Sequence, residues 1–162
     1  MIIRKYSPED NKQIVPLIGA YRVFLAGLKL VTKELDLDSA KDELQDYLSP
    51  RYSIFVASEE DEILGYLVCR IDQDVVWAES LFVKLSARRK GIGSALYAMA
   101  EEITGKLGCD TVYNWIHPNN SVIIQFLKKR GYDVLNLIEI RRSWKEEKIS
   151  SKIIVGDQEF RY

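Results

Sequence analysis

Arg88-Arg89-Lys90-Gly91-Ile92-Gly93 is the stretch on which the reading of this chain turns. Ahead of it stands Val75-Val76-Trp77-Ala78-Glu79-Ser80-Leu81-Phe82-Val83, rich in the β-branched and aromatic residues that strands favour. Behind it Ser94-Ala95-Leu96-Tyr97-Ala98-Met99-Ala100-Glu101-Glu102-Ile103 has the composition of a helix. A strand that turns through glycines into a helix start makes an anion site. The first-turn N–H groups have no intrahelical partner, and the helix dipole favours negative charge there. Gly91 and Gly93 let the main chain approach an anion closely. Arg88, Arg89 and Lys90 oppose the dipole where they stand, and an anion among them would explain their presence. Taken alone, the loop also fits a surface turn with glycines for bending and cations for solubility.

Two better-known glycine motifs do not fit. A P-loop requires Gly-Lys-Ser/Thr after its spacer, and a dinucleotide fingerprint requires a small residue where Leu96 stands. The spelling Arg-x-x-Gly-x-Gly, after a strand ending in Val83, resembles the GNAT superfamily of N-acetyltransferases, in which this loop wraps the pyrophosphate of acetyl-coenzyme A. A second block agrees. Ile116-His117-Pro118-Asn119-Asn120 precedes a helix-like run closing on Lys128-Lys129-Arg130-Gly131-Tyr132, and Asn120 and Gly131-Tyr132 stand at the family's spacing. Two spaced blocks in order are much rarer by chance than one short motif. The resemblance covers Met1 to about Arg142. It implies an α/β (α+β) GNAT fold, a mixed central sheet of about six to seven strands flanked by about four helices. Residues 1–144 would form the acetyltransferase domain, and residues 145–162 a C-terminal extension that packs on it or on a partner subunit.

At 162 residues the chain suits one domain with a sizeable core, and 47% apolar content suits a globular one. A net charge of −1 argues against a nucleic-acid binder. No apolar run reaches membrane-spanning length, and Met1-Ile2-Ile3-Arg4-Lys5 does not lead into a signal-peptide core. Cys69 and Cys109 fit a cytoplasmic thiol protein, and with a single histidine no metal site is expected.

In chain order, Ile2 to Lys5 reads as a strand, and Ser7-Pro8-Glu9-Asp10 opens a helix with an apolar face at Ile14, Leu17, Ile18, Tyr21, Phe24, Leu25 and Leu28. Pro16 should kink that helix or delay its start. Asp38 or Ser39 caps a second helix, to about Leu48. Strands follow at residues 52–58 and 63–71, joined by a solvated Glu59-Glu60-Asp61-Glu62 turn, and make an antiparallel meander with the central strand. The helix after the loop ends near Leu107-Gly108. A parallel strand is expected at residues 111–116, a helix from about Asn120 to Arg130, and a last strand from Asp133 to about Arg142. Gly156-Asp157 predicts a hairpin turn between residues 152–155 and 158–162.

The resemblance implies acetyl transfer from acetyl-coenzyme A to a primary amine by direct attack in a ternary complex. Alternatives on the same fold are an acetyl-coenzyme A sensor without turnover and a protein N-terminal acetyltransferase. The family lays the pantetheine arm along backbone groups, here of Leu81, Phe82 and Val83, while Arg88, Arg89, Lys90, Gly91, Ile92, Gly93 and Ser94 take the pyrophosphate. Asn120 stands where a family asparagine reaches the coenzyme arm, and it also suits a helix N-cap. By a period of two, Val75, Trp77, Glu79, Leu81 and Val83 share one face, so Glu79 is a carboxylate in an apolar stripe and the candidate base. The family often places an acid there; a strand-end Glu that escapes to water is the plainer reading. His117 sits in a turn spelling common in the family and suits a structural role. Trp77, Trp115, Tyr113 and Tyr21 suit the core, and some of them could wall an acceptor pocket. Glu34, Asp36, Asp38, Asp42, Glu43 and Asp46 border the acceptor side, which would suit a cationic acceptor or simply a solvated face. The position that the family commonly gives to a proton-donating tyrosine is Leu127, beside Phe126. Expected partners are a small-molecule or peptide amine and a second copy of the chain, with no nucleic acid and no membrane.

Overall fold

Arg4 and Asp10 tie the first strand to the first helix. The Arg4 guanidinium bonds both carboxylate oxygens of Asp10 at 2.7 Å, and the Ser7 N–H reaches Asp10 Oδ2 at 2.8 Å. This computed structural model describes all residues from Met1 to Tyr162, in two compact units, Met1–Trp115 and Ile116–Tyr162.

The first unit begins with β1 (Ile2–Lys5), α1 (Asn11–Leu28) and α2 (Leu37–Tyr47). Helix α1 runs through Pro16 without a break. Pro16 is exposed in its second turn, where the carbonyl it leaves unpaired can meet water. Asp36, not Asp38 or Ser39, caps α2: its carboxylate takes the N–H groups of Asp38 and Ser39 at 3.1 and 2.9 Å and the Ser39 hydroxyl at 2.6 Å. The expected caps lie inside the first turn because Leu37 already has helical geometry.

Strands β2 (Tyr52–Glu59), β3 (Glu62–Asp72) and β4 (Val75–Val83) form the antiparallel meander, and β1 pairs with β2. After β4 the chain enters α3 (Ile92–Lys106) and returns as β5 (Val112–Tyr113), parallel to β4. The sheet order is β1-β2-β3-β4-β5. One face carries Ile54, Val56, Tyr66, Val68 and Phe82 against α1 and α2. The other carries Phe55, Leu67, Cys69 and Val76, and α3 packs on the sheet through buried Ile92, Leu96, Tyr97 and Ala100. Gly65 is needed where β3 meets β4: a Cβ there would stand 2.7 Å from Phe82 O.

The second unit holds α4 (Ser121–Lys129), β6 (Lys152–Val155) and β7 (Gln158–Arg161). Gly131 at φ 89° closes α4, with Gly131 N–H to Lys128 O and Tyr132 N–H to Leu127 O, the paired bonds of a glycine C-cap. β6 and β7 form the expected hairpin through Gly156-Asp157. Seven strands and four α-helices therefore form, five of the strands in the mixed sheet. The strand expected from Asp133 to Arg142 does not form. Val134, Leu135, Leu137 and Ile140 are exposed, and strand propensity without a ladder partner does not make a strand. No helix is long and apolar enough to cross a membrane.

Candidate functional site

β4 carries the site. Its register with β3 runs Val76 to Ile71, Trp77 to Arg70 and Ala78 to Cys69, then resumes at Ser80 to Val68. Glu79 is the extra residue of a β-bulge. The bulge shifts the alternation by one. Trp77 shares a face with Ser80 and Phe82, while Leu81 and Val83 share the opposite face with Val76 and Ala78. The single apolar stripe expected through Val75, Trp77, Glu79, Leu81 and Val83 is therefore wrong, because a period of two does not survive an inserted residue.

Bulges also bend and twist a strand. β4 pairs with β5 only at Val76 to Val112 and Trp77 to Tyr113. From Ala78 onward the β4 edge has no strand partner on that side, so the strand expected at residues 111–116 is cut to Val112–Tyr113. Leu81, Phe82 and Val83 lie beyond the last residues paired with β5.

Past Val83, a short turn at Leu85–Ala87 leads to Arg89 at φ 66° and Gly91 at φ 81°. The left-handed region costs a non-glycine residue such as Arg89 about 1–2 kcal/mol and costs Gly91 almost nothing. Gly91 is the N-cap of α3 and offers no capping side chain, and the first helical bond runs from Ala95 N–H to Gly91 O. The N–H groups of Ile92, Gly93 and Ser94 thus leave the helix start uncapped. The space before them is open. A Cβ on Gly91 would meet nothing within 4 Å, and one on Gly93 only Val83 Cγ2 at 3.9 Å. Arg89 and Lys90 are exposed beside this start. Arg88 turns elsewhere: Nε donates to Val83 O at 3.0 Å, and the guanidinium lies over Phe24 and Phe82 at 5.7 and 5.4 Å.

Glu79 is half-buried, and its Oε2 accepts from Arg70 Nε at 2.9 Å. Arg70 also pairs with Asp72, and its guanidinium lies over the rings of Trp77 and Trp115 at 5.2 and 5.4 Å. Trp77 packs on Trp115 at 4.9 Å and on Tyr113 at 5.2 Å, and Trp115 is 71% exposed. Tyr113 and Trp115 belong to a wall on the α1 face more than to the core. Burial raises the Tyr21 phenol above its ordinary value, with the negative charges of Glu43 and Glu79 adding to that against the opposing charge of Arg22. Beneath, the buried Tyr66 hydroxyl meets Ser80 Oγ at 2.8 Å.

The acidic set does not converge on one place. Asp36 is the α2 cap, Asp38 pairs with Lys41, and Glu43 is held by Arg22 and by the Tyr47 hydroxyl. Glu34, Asp42 and Asp46 are exposed. No group of three or more His, Cys, Asp or Glu side chains gathers as metal ligands would.

In the second unit Asn120 is buried, and its Oδ1 caps α4 through Ile123 N–H at 3.4 Å. His117 Nδ1 takes the Asn119 N–H at 3.2 Å, a turn role. Leu127 is the one fully buried residue of α4. Sequence reasoning missed Arg70. The available signal was an arginine inside the apolar run Leu67-Val68-Cys69-Arg70-Ile71, since a half-buried cation in a strand calls for a carboxylate partner.

A profile of the acetyltransferase (GNAT) family matches residues 23–132. Comparison with curated proteins finds no match. Among solved structures, AAC(6')-Iy in complex with the bisubstrate analogue CoA-S-monomethyl-acetylneamine aligns with a TM-score of 0.70 at 16% identity, covering 89% of this chain and 98% of that one. The PaiA N-acetyltransferase of Thermoplasma acidophilum in complex with coenzyme A aligns at 0.68 and 21% identity, over 80% and 87% of the two chains. An aminoglycoside acetyltransferase from an uncultured soil metagenomic sample, in complex with trehalose, aligns at 0.63 and 20% identity over 89% and 96%. At these identities the likeness is one of fold.

Proposed function

The chain belongs to the acetyltransferase (GNAT) family, and from that membership we propose that it moves an acetyl group from acetyl-coenzyme A straight to the primary amine of a small molecule within one ternary complex. The observation that carries this reading is the uncapped start of α3, set at the end of a strand whose neighbour has parted from it. Coenzyme A in the PaiA complex and the bisubstrate analogue in the AAC(6')-Iy complex support acetyl-coenzyme A as the cosubstrate.

The residues present fit that cosubstrate. The N–H groups of Ile92, Gly93 and Ser94 would hold the pyrophosphate, with Arg89 and Lys90 adding charge and Gly91 keeping the approach open. Arg88 shapes the loop through Val83 O. The β4 segment Leu81, Phe82 and Val83, beyond the last residues paired with β5, would take the pantetheine amides, and a main-chain N–H there would polarise the reacting carbonyl. Asn120, which the resemblance assigns to the coenzyme arm, caps α4 within the second unit. When bound, acetyl-coenzyme A supplies an activated acyl group.

Glu79 Oε1, the oxygen not bonded to Arg70, accepts the proton that the acceptor ammonium must lose. Holding amine and thioester side by side replaces a bimolecular encounter with an oriented one. Neither Leu127 nor Phe126 carries a hydroxyl, so water or another group returns the proton to the leaving sulfur. Residues 145–162 act as an extension of the catalytic domain, on the same chain or against a second copy.

The test is to incubate the protein with acetyl-coenzyme A and a panel of primary amines and to follow free thiol release. Amine-dependent release is expected. Tight binding of acetyl-coenzyme A with no turnover on any amine would replace this reading with that of a sensor.

A further inference from the structure

A cleft of about 450 Å³ opens between α1, the connection to α2, the end of β4 and the turn after it. Its walls include Val23, Phe24, Leu35, Phe82 and Leu85, with Arg88 as the only charged side chain. That volume suits a small ligand. The cleft lies on the Glu79 side of the sheet. Phe82 packs on Tyr21 with ring centroids 5.9 Å apart, and the Tyr21 phenol feels the Glu79 charge.

The chemistry of the walls is selective. No carboxylate lines the cleft: of those flanking Leu35, Glu34 is exposed and Asp36 is spent as the α2 cap, and Glu43 is bonded to Arg22 and Tyr47. Arg88 is fixed by Val83 O and by the faces of Phe24 and Phe82. Alkyl or aryl surface gains by entering such a cleft. A second ammonium would lose water against apolar walls, find no carboxylate there, and be repelled by the Arg88 guanidinium.

We propose that the acceptor is a small monoamine with an apolar body, that this cleft holds the body, and that Arg88 turns away acceptors with a second positive charge. This rests on the acetyltransferase reading above, with the amine beside Glu79 and the apolar body towards Leu35 and Leu85.

Calorimetry on the protein saturated with coenzyme A tests it, with butylamine, hexylamine, 1,6-diaminohexane and neamine as probes and acetylation followed in parallel. Affinity should rise up to about fourfold per methylene from butylamine to hexylamine. Hexylamine should bind at least about tenfold more tightly than 1,6-diaminohexane, since only the latter brings a charge into the apolar walls. Leu35 is 54% exposed at the lip, so Leu35→Glu should fold and should narrow that ratio by supplying the missing carboxylate. Equal or tighter binding of 1,6-diaminohexane or neamine overturns the proposal. So does an absence of hexylamine binding, or a ratio untouched by Leu35→Glu. The two readings separate cleanly: hexylamine preference without acetylation keeps the cleft and removes the enzyme, whereas acetylation with diamines preferred keeps the enzyme and removes the cleft assignment.

Discussion

Arg70 Nε donates to Glu79 Oε2 across 2.9 Å, and the same guanidinium lies over the two indoles of Trp77 and Trp115. One side chain of β3 therefore aims the bulge carboxylate and braces the aromatic wall beside it. From β3 Arg70 and, through it, Asp72 face Glu79, and the Tyr21 phenol of α1 feels its charge.

Removing the guanidinium frees the carboxylate that it aims. Arg70→Met is expected to lower kcat/KM by about tenfold or more, with Arg70→Lys restoring part of the loss. Glu79→Gln should lower kcat by about 10²–10⁴-fold. Unchanged kcat/KM in Arg70→Met would mean that Arg70 does not position Glu79.

Gly93→Val should weaken acetyl-coenzyme A binding at least about tenfold by calorimetry, because side-chain carbons would stand in the open space before the α3 start. The fold should survive, since the nearest atom to a Cβ there is Val83 Cγ2 at 3.9 Å. Unchanged affinity would remove the loop from the coenzyme site.

The mechanism we propose uses no tyrosine as the acid. Tyr21→Phe and Tyr113→Phe should each keep kcat within about threefold, well short of the 10²–10⁴-fold that a placed proton donor contributes. A hundredfold loss in either, with acetyl-coenzyme A affinity intact, would identify that phenol as the donor.

Acid should unfold the first unit partly through Asp10. The Arg4 hydrogen bond holds its carboxyl below the usual range, against the opposing effect of burial and with help from Ser7 N–H. A carboxyl depressed in the folded state stabilises above its unfolded value near about 4, and that contribution is lost as pH falls through the folded value. Asp10→Asn should cost about 1–3 kcal/mol at neutral pH and flatten the fall in Tm below about pH 4. Parallel acid curves for the two proteins would show that the pair contributes nothing.

The fold was legible because its signals are local. Gly91 and Gly93 punctuate a strand and a helix, and Gly131-Tyr132 closes α4 through bonds that lie within a few residues. What depended on pairing was not legible. The Glu79 bulge exists only relative to β3, and alternation counted along β4 alone put Trp77 and Leu81 on one face. Likewise Val134, Leu135, Leu137 and Ile140 carry strand propensity, but a ladder needs a neighbour that propensity does not specify. The acids before and within α2 clustered in the text of the chain, yet Asp36 and Glu43 were already committed to a cap and to Arg22.

The end of the β4–β5 pairing at Trp77 leaves the main-chain groups beyond it on that edge without a strand partner. Every residue type supplies those groups, proline's missing N–H aside. Mutational drift at Leu81 or Phe82 can therefore alter a wall without erasing the polar row behind it. The part of the site written in side chains can change from lineage to lineage while the part written in backbone stays put. A fold with that division of labour can exchange acceptors by a handful of substitutions in α1 and its following loop, which makes Phe24 and Leu35 the places to begin redirecting this one.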